Sequence, residues 1–388
     1  MHSVFTEVKL SDCLTIRYGK NQKDVESDDG EFPILGTGGE IGRTNIALYS
    51  KPSVLIGRKG TIDKPRYMDT PFWTVDTLFY TEIHDNALPK FIYYIFTTIN
   101  WYRYNEASGV PSLSASTVAS IKINLPALDE QERAVAVLET WDAYIAMVEK
   151  KIQLKMSVKK GMMQQLLSGK KRLPGFEKPW DKTTIKSFAR VDSGFGFPES
   201  IQGNKNLDIP FIKVSDMNLT GNEEVIKSWN NTISNEQLQS LRAKTFPAGS
   251  IIFPKIGAAI NTNKKRLLSR PTVVDNNVMV VVPFVLDQNY FIYQWLKMFD
   301  ISRWANDSGV PSMRKSEVEN HIVFAPTDTQ EMIEIGNLLK TADLELKSLI
   351  KLKNDVAEQR RYLISNLITG AIRTPDNLMI ADKETSNA

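Results

Sequence analysis

The 388 residues carry 48 Lys and Arg against 45 Asp and Glu, a net charge of +3, with 42% hydrophobic and 24% charged residues. This composition suits an ordinary globular chain of roughly two to three domains and excludes a polycation, so nucleic-acid binding would have to rest on local clusters. One cysteine, Cys13, excludes an internal disulfide and a cysteine-built zinc site; with no apolar signal core and no run of ~18 apolar residues, a cytoplasmic location without membrane contact is expected.

In chain order, residues 8–18 alternate apolar and polar and predict a strand or a short helix. A polar loop, 19–31, leads to FPILGTGGEIGRTN at 32–45, where Gly36, Gly38, Gly39 and Gly42 call for a tightly turning backbone. Residues 53–56 predict a strand that turns through Gly57-Arg58-Lys59-Gly60, and 72–83 a further strand. Residues 89–105 have helical spacing, with Pro89 in the first turn. The loop 107–112 precedes an alternating strand over 121–126, ended by Pro126. A long helix starts near Asp129, a plausible N-cap with Glu132 three residues on. Its apolar residues Leu138, Trp141, Ile145, Val148 and Ile152 fall at steps of three and four, the narrow seam of a coiled coil. Ser168-Gly169 closes it, and the Pro- and Gly-containing stretch 173–180 reads as a boundary.

The remaining residues repeat this order. Residues 108–174 return as 308–375, both opening on Ser-Gly-Val-Pro-Ser and both holding a helix of roughly 40 residues closed by a Gly. Upstream, Ser250 aligns with Ser53, Lys255 with Arg58, Gly257 with Gly60 and Asp275 with Asp76. In the second long helix Leu339, Ala342, Leu346 and Leu349 fall on Leu138, Trp141, Ile145 and Val148, and Asp343 on Asp142. The expected fold is α+β: strand-rich domains at 1–126 and 174–326, helical regions at 127–173 and 327–375, and a disordered tail at 376–388. Each long helix has a seam it cannot bury alone, so antiparallel pairing is expected, with a pseudo-two-fold relation between the halves and helices of about 60 Å.

No phosphate-binding loop, nucleophile elbow, dinucleotide fingerprint or amino-methylation Asn-Pro-Pro-aromatic stretch is present, and His2, His84 and His321 have no metal-ligand spacing. We therefore expect neither an active site nor a metal in this chain. What remains is loops with basic and amide side chains among glycines: Arg43, Thr44, Asn45, Arg58, Lys59, Lys64 and Arg66 in the first half, and Lys255, Asn261, Asn263, Lys264, Lys265 and Arg266 in the second. Arg and Lys can grip phosphate or guanine edges, and Asn can pair with adenine. The same residues would also suit solvated turns. The recurrence of a cation at Arg58 and Lys255 brings DNA level with that reading.

The pattern LPALDEQERAVAVLETWDAYI…LLSGKKRLP, echoed by APTDTQEMIEIGNLLKTADLEL…LITGAIRTP, resembles the specificity subunit of type I restriction–modification systems. The marks of that family fall here on Pro126, Gln131, Leu138, Asp142 and Gly169, then on Pro326, Gln330, Leu339, Asp343 and Gly370. The second helix departs in having Pro326-Thr327 and in carrying Ala342 where the first has Trp141. The resemblance implies two target recognition domains, each reading half of a bipartite site in double-stranded DNA, with the helices setting the spacer. It implies two docked modification subunits using S-adenosylmethionine, restriction subunits using ATP and Mg, and no cofactor on this chain. A non-catalytic coiled-coil scaffold with two protein-binding heads is the alternative.

Overall fold

A computed structural model describes residues 5–306 and 309–378. The expected disordered tail lies, from residue 379 on, outside the described residues, as does Ser308, the first residue of the second repeat. The chain forms two compact units, one of residues 1–150 with 351–388 and one of residues 151–350.

The first unit runs β1 (Thr6–Lys9), β2 (Leu14–Tyr18), β3 (Phe32–Gly36), β4 (Gly39–Thr44), β5 (Ser53–Gly57), β6 (Arg66–Met68), β7 (Trp73–Thr74), β8 (Leu78–Ile83), α1 (Pro89–Thr98), α2 (Ala115–Ala119), β9 (Lys122–Leu125) and α3 (Leu128–Leu166), the last continuing into the second unit. Its main sheet has the order β2-β8-β5-β6, a second sheet β4-β3-β7, and β1 pairs with β9. Alternation along β5 explains the layering. Val54 and Ile56 join Phe91, Ile92 and Ile95 of α1 in one core. Leu55, pointing the other way, packs with Leu35, Phe72 and Tyr80 under the small sheet. Both faces of β5 are covered, which is why Ser53–Gly57 is buried throughout.

The second unit runs β10 (Trp180–Thr184), β11 (Ala189–Ser193), β12 (Ile209–Ile212), β13 (Val225–Ile226), β14 (Thr232–Ile233), α4 (Asn235–Ser240), β15 (Ile251–Pro254), β16 (Arg266–Leu268), β17 (Val273–Val274), β18 (Val278–Pro283), α5 (Asn289–Met298), α6 (Lys315–Glu319), β19 (Ile322–Pro326) and α7 (Thr329–Thr369), the last continuing into the first unit. Its sheets, β11-β18-β15-β16-β13, β14-β12-β17 and β10-β19, repeat those of the first unit. Alternation repeats too: Ile251 and Phe253 face α5, while Ile252 packs with Ile212 and Val280. The difference lies after β12. Where the first unit turns directly from β3 into β4, the second inserts β13 before β14, the counterpart of β4, and α4 after it.

One glycine is required at the same place in each unit. A Cβ on Gly19 would stand 2.1 Å from the Val75 carbonyl oxygen, and one on Gly194 2.2 Å from that of Asp275. This pairs Asp275 with Val75 rather than Asp76. The backbone agrees, since Val75 N–H donates to Leu35 O (3.0 Å) and Asp275 N–H to Ile212 O (2.8 Å).

Helix pairing is antiparallel within each unit. In the first, Arg133 bonds Thr374 (3.1 Å), Asp142 takes Arg360, and Glu149 takes Lys353 (3.4 Å), partners falling in number as α3 advances. In the second, Lys155 pairs with Glu345 (2.7 Å), Lys159 with Asp343, and Arg172 with Glu331 (2.5 Å). Of the seam, Leu138, Val148, Ile152 and Leu339 are buried; Trp141, Ile145, Ala342, Leu346 and Leu349 are half-buried. Leu138 packs with Ile364, Leu367 and Ile368 of α7. Asp129 is not an N-cap: α3 starts at Leu128, and the Asp129 carboxylate lies in the first turn, paired with Arg133 (3.1 Å).

Candidate nucleic-acid interface

The hairpin that leaves β5 carries Arg58 and Lys59. Arg58 N–H donates to Thr77 O (2.8 Å), and Arg58 O accepts from Leu113 N–H (2.8 Å). Its guanidinium donates to Asp76 O (3.1 Å) and lies 5.4 Å from the ring centroid of Tyr18, an exposed aromatic at the end of β2. Lys59 is exposed. After β15, Lys255 occupies the same place: its N–H donates to Asn277 O (2.8 Å), and its carbonyl accepts from Met313 N–H (3.0 Å). The aligned pair Arg58 and Lys255 thus shares one backbone pattern, while their neighbours diverge. Lys59 is followed in position by Ile256, and Tyr18, opposite Phe79, by Ser193, opposite Met279.

The other candidates divide by what their side chains hold. Arg43 fastens a loop, its Nε and Nη2 each 2.8 Å from the carbonyls of Gly30 and Glu31, with about half of the side chain still open. Arg66 does the same for Gly36 and Thr37, with Nη2 2.9 Å from the Thr37 carbonyl. Asn45 is exposed and accepts from Glu31 N–H (3.1 Å). Lys64 and Asn261 are exposed. Lys264 is half-buried and donates to Asn218; Asn263 accepts from Ile301 N–H (3.1 Å). Arg266 donates to Lys265 O (2.8 Å) and Met217 O (3.2 Å), and burial lowers its pKa.

Two candidates are corrected. Thr44 is fully buried, and its hydroxyl accepts from Ile46 N–H (3.1 Å), turning the chain at the end of β4. Lys265 is only 3% exposed; its ammonium donates to Asn263 Oδ1 (2.5 Å) and Phe299 O (2.7 Å), and burial pushes its pKa down to about 8. Neither can reach a duplex. Carbonyl and amide acceptors in the fold satisfy both groups, which is what allows them inside.

The clamp at the helix ends escaped sequence reasoning. Glu130, 1% exposed, accepts from Thr374 N–H (3.2 Å), Arg133 (3.0 Å) and Arg373 (3.4 Å). Glu331, fully buried, accepts from Arg172 through Nε and Nη2 and from Trp180 Nε1 (3.0 Å). Each carboxylate at the start of one long helix therefore captures the Arg three residues beyond the glycine that ends the other. The true partners are Glu130 and Glu331, not Gln131 and Gln330. Gln131 is buried, bonding Leu88 N–H (2.8 Å) and Pro126 O (2.9 Å), whereas Gln330 is exposed and bonds Glu334 (2.8 Å).

A few turns on, Asp142 accepts from Tyr94 of α1 (2.8 Å) and from Arg360. Asp343 accepts from Tyr290 (2.6 Å) and Gln294 (2.7 Å) of α5 and from Lys159. The aspartates thereby fix the helix pair to the strand-bearing part of each unit. Burial and the bond to Asp142 raise the Tyr94 pKa, so its hydroxyl keeps its proton as a donor.

Among the described residues no group of three or more His, Cys, Asp or Glu is placed to hold a metal ion, and no helix is long and apolar enough to cross a membrane. The family model described as "Type I restriction modification DNA specificity domain" matches residues 3–156 and 177–359. The chain belongs to this type I specificity family. As such it is a specificity subunit of a type I restriction–modification system. It is 21% identical over 301 residues to the type I restriction enzyme MjaIX specificity subunit of Methanocaldococcus jannaschii, covering 73% of this chain and 69% of that one. It is 20% identical over 288 residues to the MjaVIII specificity subunit of the same organism, covering 69% and 66%. The chain thus spans about two thirds of each relative. Among solved structures, the type I restriction–modification S subunit from M. genitalium overlays with a TM-score of 0.64 at 14% identity, covering 95% and 96% of the two chains. A chain from work on complex assembly and conformational transition of the type I system overlays at 0.55 with 11% identity, covering 95% and 98%. These likenesses extend over 95% of the chain.

Proposed function

We propose that this specificity subunit reads a bipartite, asymmetric site in double-stranded DNA, with residues 1–126 and 174–326 as its two recognition domains. The observation that carries the reading is the cation-bearing hairpin of β5 and β15, held by one backbone pattern in both units among side chains that differ. A shared frame with different side chains suits two readers of different half-sites. Arg58, Lys59 and Lys255, with Lys64, Asn45 and Asn261, are the candidate contacts. Catalysis falls to partners: two modification subunits using S-adenosylmethionine, and restriction subunits using ATP and Mg, all in the cytoplasm. Exposed apolar residues on the long helices support docking there, among them Tyr144, Met147 and Tyr362 in the first unit and Leu154, Val158 and Leu344 in the second.

Methylome sequencing of cells expressing this chain with its modification partner tests the reading. Exchanging residues 1–126 for another recognition domain should change one half-site only, and a change in both halves refutes the modular assignment. Salt separates this from a scaffold with two protein-binding heads, because phosphate contacts make DNA affinity fall steeply with ionic strength.

A further inference from the structure

Both units carry the pentapeptide Ser-Gly-Val-Pro-Ser, at 108–112 and 308–312. In the first unit Gly60 N–H donates to Pro111 O (2.8 Å), and Ser112 N–H to Asn105 Oδ1 (2.8 Å). In the second, Gly257 N–H donates to Pro311 O (2.7 Å), and Ser312 N–H to Asn306 Oδ1 (3.1 Å). Each loop is thus laced to the hairpin that bears Arg58 or Lys255. This network gives the Pro and the second Ser a structural task. It gives none to the valine at the tip. Val110 is 60% exposed and Val310 66%, and neither joins a hydrophobic cluster of the fold. A single exposed valine needs no explanation, but one repeated at the same open tip of both units, beside loops that have otherwise diverged, points to a shared contact outside the fold.

We infer that the valine-tipped loop is a sequence-independent contact to the deoxyribose–phosphate wall of each half-site, a proposal that rests on the DNA reading above. A side chain that reads bases must differ between two domains that read different bases. One that is identical in both must meet what both half-sites share, and a duplex shares its sugar–phosphate backbone. Placement on the cation-bearing hairpin favours DNA. Arg58 or Lys255 would meet phosphate, while the valine methyls and the proline ring lie against the apolar face of a deoxyribose. The loop would fix the height and angle of each domain on the duplex, leaving the variable neighbours to choose bases. A partner protein present in two copies would also meet identical loops, so assembly is measured alongside.

The test uses the complete complex with its modification subunits, carrying V110S, V310S or both. Affinity is measured for a duplex holding the methylated site and for an unrelated duplex of equal length. Each single variant should weaken both duplexes by the same factor, about ten- to twentyfold, as expected for two lost buried methyl groups. The double variant should multiply the losses, with the methylated sequence and complex assembly unchanged. A loss confined to the methylated site, or an altered base in one half-site, would make the valine a base reader. Weakened assembly with unchanged DNA affinity would make the loop a protein-docking surface. Unchanged affinity and assembly would remove the contact. If the wild-type complex itself binds without salt dependence, it is the DNA reading that fails.

Discussion

Arg172 forks onto Glu331, Nε to Oε1 at 2.5 Å and Nη2 to Oε2 at 2.7 Å, although the two residues lie 159 positions apart. The carboxylate is fully buried, with Trp180 Nε1 as a further donor. Removing one member of such a pair leaves a charge inside without its partner, at a cost of about 3–5 kcal/mol. R172A should lose about that much stability in urea unfolding. R373A, at the equivalent place, should lose less, because Glu130 keeps Arg133 at 3.0 Å. Equal losses would show that the two clamps are not built as described.

Asp343 titrates low. Burial alone would raise its pKa, but hydrogen bonds from Lys159 and Tyr290 and the Lys159 charge outweigh it and hold the group below its usual 3.8. A depressed folded pKa stabilises fully above the unfolded value, and that stability is lost as pH falls through the folded one. Wild-type protein should therefore lose stability progressively below about pH 4, and D343N should show a shallower acid limb. Identical acid limbs in the two proteins would contradict the assignment.

Lys265 acts at the other end of the scale. Its folded pKa lies near 8, against an ordinary 10.5, chiefly because burial penalises the charged form. Its contribution is fully present above the unfolded value and lost as pH falls towards 8, so stability should rise between pH 8 and 10.5. K265M should lack that rise. The difference between the two stability curves, measured at fixed ionic strength, isolates this lysine, and parallel curves would count against it.

Arg58 and Lys255 should each account for about one phosphate. For a complex on duplex DNA, R58A and K255A should each reduce the slope of log affinity against log salt by about 0.9. Thr44→Ser should leave that slope as it is, since the hydroxyl is turned inward on Ile46 N–H.

The repeat, the two long helices and the alignment of Arg58 with Lys255 could be read from the sequence, because they rest on hydrophobic period and turn glycines. The helix clamp could not. The family's marks paired Gln131 with Gln330, two positions out of the register that joins the buried carboxylates Glu130 and Glu331. Only burial and partners reveal that register, since an acid at a helix start looks solvated in sequence. Thr44 and Lys265 were misjudged for a related reason. Their polarity suggests a surface, but the fold offers each the acceptors or donors that let it go inside. The strands β13 and β14, two residues each, are too short to carry a period.

The division of the long helices has a consequence for synthesis. Residues 151–350 form one unbroken stretch that holds every strand of the second unit, whereas the first unit needs α7 beyond residue 350 to close around α3. As the chain leaves the ribosome, the second unit can reach its native contacts while the first still waits for Arg360, Ile364 and Thr374, the last bonded to Arg133 across 241 positions. The unit whose strands come first in the sequence is thus the last to be finished. During that wait its α1 core keeps open the surface that α7 later covers, which makes the nascent first unit the stage most exposed to proteases and aggregation.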